Sequence, residues 1–266
     1  MRANFHTHST FCDGKNTPEE IVLAALKNGF SAVGLSGHGY TPFDLRYCMK
    51  DTEGYIAEVT RLKRVYKSEI EVYLGIEEDA FAPVDRSRFD YVIGSLHYAC
   101  VEGRYYPIDS SYDHFKACLA AFDGDILRLA EAYFSTFCDY IRRRKPDIIG
   151  HFDVITKFDE VDVARFSCNT AYQALAERYA VAAAQSGCIF EVNSGPVWRG
   201  YRTTPLPNEN VLHVLKRLDA PIILSSDSHS VDTLDYKAEE MTAYLRDIGF
   251  RYVMTLSHGA FVRVPI

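Results

Sequence analysis

The sequence contains no C-x-x-C pair, and its seven cysteines, Cys12, Cys48, Cys100, Cys118, Cys138, Cys168 and Cys188, are odd in number. That usage argues against a disulfide framework and against a thiolate zinc site, and it predicts reduced thiols in a cytoplasmic protein. No apolar run approaches the roughly 20 residues that cross a bilayer. No charged segment followed by an apolar stretch opens the chain, so the expectation is a soluble, unexported protein with no membrane partner. Positive balance is lacking as well: 36 acidic against 29 basic residues leave a formal charge of −7, without the broad basic footprint of a nucleic-acid binder. The one dense basic run, "YIRRRKPD", is expected to be a solvated helix C-terminus stopped by Pro146. Linkers and low-complexity tracts are absent too. With 266 residues, 47% hydrophobic and 24% charged, the chain predicts one domain over residues 1–266 with a sizeable core. Oligomeric state is left open.

What is present is a repeating pattern. Thr17-Pro18-Glu19-Glu20 predicts a helix start, with Thr17 as N-cap, Pro18 in the first turn and Glu20 closing a capping box; Gly29 ends that helix. Strand-like segments follow in "SAVGLSGHG", "EVYLGIEEDAF", "FDYVIGSLHY", "PDIIGHFDVI", "CIFEVNSG" and "PIILSSDSH". Helices are expected near 52–67, over 111–144 in two pieces, and over 169–186, 208–218 and 233–248. With the opening strand there are seven short segments rich in Val, Ile and Leu, mostly separated by amphipathic helices. They fit a closed parallel α/β barrel better than a two-layer antiparallel fold. The last stretch, "RYVMTLSHGAFVRVPI", predicts one more strand or hairpin over the barrel edge.

Parallel barrels carry their chemistry at the carboxyl ends of the strands. There the first strand delivers His6 and His8, which share a face because alternate residues of a strand do, with Asp13 just beyond. The later strands end at His38, Glu77, His97, His151, and the pair Asp227 and His229. His151 alone could be a packed core histidine, and Glu77 alone a member of an acidic cluster; together the nine point to a multinuclear metal site. Imidazole and carboxylate donors suit zinc, iron or manganese. Nine ligands exceed the needs of one ion, and a carboxylate such as Glu77 can bridge two cations that activate a water between them. His114, His213 and His258 receive no role.

The segments "HTHSTFCDG", "GHG", "GIEED", "GSLHY", "GHFD" and "SSDSH" together resemble the PHP family, the polymerase and histidinol phosphatase superfamily. The resemblance implies a distorted seven-stranded, TIM-like β/α barrel holding three divalent metal ions. Carried over, His6, His8, Glu77 and Asp227 would hold the first; Glu77, His97 and His151 the second; Asp13, His38 and His229 the third. Asp13 departs from members with histidine there, which makes the third site more anionic. The length, the lack of a polymerase domain and "GSLHYACVEGRYYPID" look most like the stand-alone histidinol-phosphate phosphatases.

The expected reaction is hydrolysis of a small phosphate monoester, L-histidinol phosphate, to L-histidinol and phosphate, a step of histidine biosynthesis. Uncatalysed cleavage of such esters is so slow that enzymes supply accelerations up to ~10²¹, and in-line attack by a hydroxide bridging two metals would meet that demand. Glu77, Asp227 and His229 are the expected catalytic residues, with His229 kept as a ligand and proton delivery to the leaving alkoxide unassigned. "NSGPVWRGYRTTP" brings Arg199 and Arg202 to the same barrel face, where a guanidinium can bind phosphate oxygens. The competing readings are a PHP phosphoesterase for nucleotides, oligonucleotides or phosphotyrosine, a non-catalytic PHP module, and an amidohydrolase-like enzyme, for which no metal-bridging lysine is placed.

Overall fold

A computed structural model describes residues 2–161 and 165–266. Seven parallel strands form one sheet: β1 (Ala3–Asn4), β2 (Ala32–Leu35), β3 (Glu71–Asp79), β4 (Tyr91–Ser95), β7 (Ile148–Ile149), β8 (Ile189–Asn193) and β9 (Ile222–Ser225), in that spatial order. The sheet curls until its ends meet at the top. There Thr7 bridges Ser228 in parallel, with His8 N donating to Ser228 O at 2.8 Å and Ser228 N to His6 O at 3.1 Å. The result is the distorted seven-stranded α/β barrel expected, closed at the end where its ligand-type residues lie.

The helices coat the outside. α1 (Pro18–Lys27) begins with the expected capping box between Thr17 and Glu20 and ends where Gly29 takes a positive φ. It packs with α2 (Thr52–Val65) through Ile21, Val22, Val59 and Leu62 against Val33, Leu35, Val72 and Leu74. On the far side α4 (Ile126–Arg144), α5 (Thr170–Ala184) and α7 (Glu209–Arg217) bury Phe134, Phe137, Ala176, Ala180, Leu212 and Leu215 against Ile149, Phe190 and Val192. α3 (Tyr112–Ala120) and α8 (Ala238–Ile248) complete the coat. The basic run at the end of α4 is only partly a solvated terminus. Arg144 turns inward and donates to both oxygens of the buried Glu78, at 3.0 and 2.7 Å.

Two antiparallel hairpins are added. β5 (Tyr98–Val101) and β6 (Arg104–Pro107) rise beside the barrel mouth, joined through Glu102 and Gly103, both at positive φ. β10 (Tyr252–Ser257) and β11 (Ala260–Pro265) form the terminal hairpin, whose Leu256 joins the apolar floor of the barrel.

Strand alternation sorts the interior into layers. Tyr73, Tyr91, Ile93, Ile148, Ile189 and Ile223 make the floor, and two residues at a time toward the carboxyl ends the same faces become polar, as in Tyr73-Gly75-Glu77 and Ile223-Ser225-Asp227. Tyr91 is the largest floor residue, and glycines make its space. A Cβ on Gly75 would lie 2.2 Å from Tyr91 Cζ, and one on Gly34 2.1 Å from its hydroxyl, which donates to Phe5 O at 2.5 Å. Overpacking a full core costs about 1–3 kcal/mol. Gly75→Ala is therefore expected to lower stability by about that amount in urea unfolding; an unchanged midpoint would mean that Tyr91 moves freely.

Candidate metal centre

All nine ligand-type residues converge at the mouth of the barrel. Glu77 stands at the centre, and its two oxygens face different imidazoles. Oε2 lies 3.3 Å from His6 Nε2, 3.6 Å from His8 Nε2 and 2.8 Å from His38 Nδ1. Oε1 lies 3.1 Å from His97 Nε2 and 3.0 Å from His151 Nε2, and it accepts from Ser95 Oγ at 2.7 Å. Asp227 Oδ1 is 3.1 Å from His8 Nε2 and 3.5 Å from His229 Nδ1. Asp13 lies further out, 3.3 Å from His229 Nε2 and 3.8 Å from His38 Nε2. His8, Asp13, His38 and His229 can bring one ligand atom each within 4.8 Å of one another, as can His6, Glu77 and His151, or His6, His8 and Asp227. His38 stands between groups: with Glu77 and His97 it makes a further such set.

These donors fit cations better than they fit one another. The buried Nε2 atoms of His6 and His8 and Oε2 of Glu77 have no hydrogen-bond partner. Lone pairs aimed at a common point from buried imidazoles and a carboxylate are left costly unless positive charge sits among them.

The electrostatics agree. Burial opposes the charges of Glu77 and Asp227, yet His38 and His6 around the first, and Arg199 and His6 around the second, hold both well below the usual carboxylate range. Burial likewise opposes protonation of His6 and His97, but Glu191 and Glu77 at one, and Asp109 and Glu77 at the other, raise them. His8 goes the other way, pushed down to about 3 by burial and by His229 and His38. The buried carboxylates thus hold their negative charge and draw positive charge to the cluster, and a bound cation would supply it with the imidazoles neutral.

Three residues behind or beside the cluster, Asp109 at the end of "GSLHYACVEGRYYPID" among them, are not marked by any ligand-type spacing. Glu191, buried in β8, has Oε1 2.5 Å from His6 Nδ1 and accepts from His151 N at 2.8 Å and Asn193 Nδ2 at 2.9 Å, with Ser225 Oγ also donating to it. Asp109 Oδ2 is 3.3 Å from His97 Nδ1. Lys157, also buried, donates to Asp109 O at 2.6 Å. The one available signal was Glu191 itself, a charge inside the apolar run "CIFEVN", which must find a partner when buried. A carboxylate on the outer nitrogen of a ligating histidine fixes its ring and tautomer, and its loss costs about 10–100-fold in metal affinity. Glu191→Gln is expected to weaken metal binding by that factor in a competitive chelator titration; unchanged affinity would make Glu191 a packing residue only.

Arg199 and Arg202 part company. Arg199 follows the short helix α6 (Gly195–Trp198). Its Nη1 donates to Asp227 Oδ2 at 3.2 Å, its Nη2 lies 2.9 Å from His229 Nδ1, and its guanidinium stacks 4.4 Å over Trp198. Arg202 requires a correction to its expected place. It is turned into the protein, with its five N–H donors facing Thr156 O (2.9 Å) and Oγ1 (3.2 Å), Asn208 Oδ1 (2.5 Å), and Thr204 O and Oγ1 (both 3.3 Å), so none is left for a phosphate. His114 and His213 lie on α3 and α7, and His258 in the turn of the terminal hairpin, away from the cluster. A cavity of about 450 Å³ opens over the cluster, walled by Tyr47, Tyr98, Asp109, Lys157, Arg199 and Tyr201 among others.

A closed barrel of seven parallel strands with histidines and carboxylates at the strand ends defines a metal-binding α/β barrel, and residues 4–195 match the PHP domain: the chain belongs to the PHP family. Among relatives, it is 25% identical over 284 residues to the "Probable histidinol-phosphatase" of Schizosaccharomyces pombe, covering 97% of this chain and 90% of that one. It is 24% identical over 259 residues to the histidinol-phosphatase of Bacillus subtilis, covering 88% and 96%. Among solved structures, the histidinol phosphate phosphatase of Lactococcus lactis subsp. lactis superposes with a TM-score of 0.71 at 19% identity over 98% of each chain. That protein was crystallised with zinc, L-histidinol and phosphate. At this identity the likeness establishes the fold. No helix among the described residues is long and apolar enough to cross a membrane.

Proposed function

We propose that the chain is a metal-dependent phosphoric monoester hydrolase that converts L-histidinol phosphate to L-histidinol and phosphate, as a single unit over residues 1–266. The observation that carries this reading is the division of Glu77, with one oxygen toward His6, His8 and His38 and the other toward His97 and His151, beneath a cavity that also holds Arg199. The names of the relatives support the substrate.

The ligand sets we propose are His6, His8, Glu77 and Asp227; Glu77, His97 and His151; and Asp13, His38 and His229, for three divalent ions drawn from zinc, iron or manganese. Bound there, such ions supply positive charge for the phosphoryl oxygens and a lowered pKa for water. Glu77 and Asp227 keep negative charge at the centre of the cluster, and Glu191 and Asp109 hold the rings of His6 and His97 by their Nδ1 atoms, leaving Nε2 turned inward. Arg199 lines the cavity with Nη1 and Nη2 held by Asp227 and His229, which leaves Nε and one N–H of Nη1 to donate to a phosphate oxygen. All seven cysteines are free thiols, which supports action in the reducing cytoplasm.

A cavity of about 450 Å³ lined by Tyr47, Tyr98 and Tyr201 among others has the volume of a small ester, which favours that substrate over an oligonucleotide or a phosphotyrosyl protein. Phosphate release from histidinol phosphate beside nucleotide, sugar and aryl monoesters tests the reading. Histidinol phosphate should give the highest kcat/KM, lost on chelation and restored by divalent metal. Preference for another ester by more than about tenfold would reassign the substrate.

A further inference from the structure

We propose that Lys157 is a second phosphate-binding cation that works with Arg199. This rests on the phosphate-ester reading above. Lys157 sits on the loop after β7, is 9% exposed, and lines the same cavity as Arg199, Glu77 and Asp227. Lysine is seldom buried unless its charge is matched. Here the match is incomplete. Of the three donors on the ammonium, one reaches Asp109 O at 2.6 Å, while the nearest carboxylate oxygen, Asp109 Oδ2, stands 3.6 Å away and is shared with His97 Nδ1 at 3.3 Å. The rings of Phe158 and Tyr201 lie on other sides, 5.7 and 5.6 Å from Nζ, and offer only their faces.

Charge accounting around the cavity points the same way. Arg46 is closed off by a two-pronged pair with Asp44, at 2.8 and 2.5 Å. Arg199 leans on Asp227, a carboxylate the proposed metal cluster uses. Lys157 shares Asp109 with a histidine of that cluster. Asp13 and Glu77 also line the cavity, but both belong to the proposed metal cluster, as Asp227 does; with cations bound to that cluster its carboxylates are matched, and Lys157 and Arg199 are left to face a phosphate dianion. Lys157 and Arg199 line the same cavity, and burial and Arg199 push the Lys157 amine down while Asp109 and Asp227 pull it up. Asp109 becomes a positioning residue, fixing the Lys157 ammonium and the His97 ring with one carboxylate.

The test uses the metal-loaded enzyme and inorganic phosphate as the probe. Lys157→Met keeps the length and apolar stem of the side chain and removes the charge. It is expected to raise the phosphate dissociation constant in calorimetry at least about tenfold, the effect of losing one charge-assisted bond. kcat/KM should fall by at least as much for every ester the wild type hydrolyses, with metal content unchanged. Lys157→Arg should restore part of the affinity, since it keeps the charge; Lys157→Gln replaces the Met variant should that one fail to fold. Phosphate affinity within about twofold of wild type in a folded neutral variant overturns the proposal, as does a loss that follows loss of metal. Should the wild type hydrolyse no monoester, the reaction assigned above is wrong, and phosphate binding by the two proteins still decides Lys157.

Discussion

Glu77→Gln is expected to empty much of the metal centre and abolish nearly all turnover while the barrel stays folded. The substitution keeps the volume of the side chain and removes the charge that faces five imidazoles, at 2.8 to 3.6 Å. It also places an amide N–H₂ where an acceptor stood, against nitrogens that need to present lone pairs inward. Removing a residue that merely supports a ligand costs about 10–100-fold in metal affinity, so losing the shared carboxylate should cost more than about 100-fold. The fold should survive because the apolar floor of Tyr73, Tyr91, Ile93, Ile148, Ile189 and Ile223 and the outer helix contacts do not involve Glu77. Metal per chain by mass spectrometry, phosphate release and circular dichroism measure the three parts separately. Full occupancy with normal turnover would show that Glu77 joins no two ions.

Why Glu77 could be singled out from sequence, and Glu191 could not, comes down to where each residue lies on its strand. Barrel chemistry collects at carboxyl ends, so a histidine or carboxylate closing a run of Val, Ile and Leu is conspicuous one strand at a time. His38, His97 and His151 are legible in that way, and with them the seven strands, even though β1 and β7 pair over only two residues each. Most helices are legible from apolar periodicity and caps, within about two residues of the ends seen in the structure, but α8 begins at Ala238 against an expected 233 and the short α6 has no counterpart among the expected helices. Glu191 lies mid-strand, and its meaning depends on His6, 185 positions earlier, coming within 2.5 Å. Asp109 and Lys157 lie outside regular elements, and no local pattern pairs residues 48 apart. The hairpin of β5 and β6 escaped because its turn, Glu102-Gly103, is not among the strong hairpin dipeptides, although both residues take the positive φ such turns need. Arg199 and Arg202 look alike in sequence, three residues apart on one loop. Only the packing of Arg202 against Thr156 and Asn208 separates a structural arginine from one left at the cavity.

That separation sharpens the expectation for Arg199→Ala. Arg199 is held in place by Trp198 beneath it, by Asp227 beside it, and by the missing side chain of Gly195, where a Cβ would lie 2.5 Å from Nη1. It is a proposed phosphate ligand and not a metal ligand, so its removal should leave the metal count unchanged and lower kcat/KM for the monoester. A hydrogen bond between charged groups is worth about 1.5–3 kcal/mol, and each ~1.4 kcal/mol is tenfold, so the loss should be at least about tenfold, and larger if the contact tightens as charge develops in the transition state. Lysine at the same position should recover part, because it keeps the charge and loses the two-pronged fork. Gly195→Ala should reproduce a fraction of the defect with Arg199 still present, and because its Cβ would also lie 2.9 Å from Asp227 Oδ2 it should lower the metal content as well, which Arg199→Ala should not. Steady-state kinetics with metal analysis on the three variants distinguishes these effects. Wild-type kinetics in Arg199→Ala would mean that the phosphate is gripped elsewhere, and since the donors of Arg202 are already spent, Lys157 would be the first side chain to carry that role.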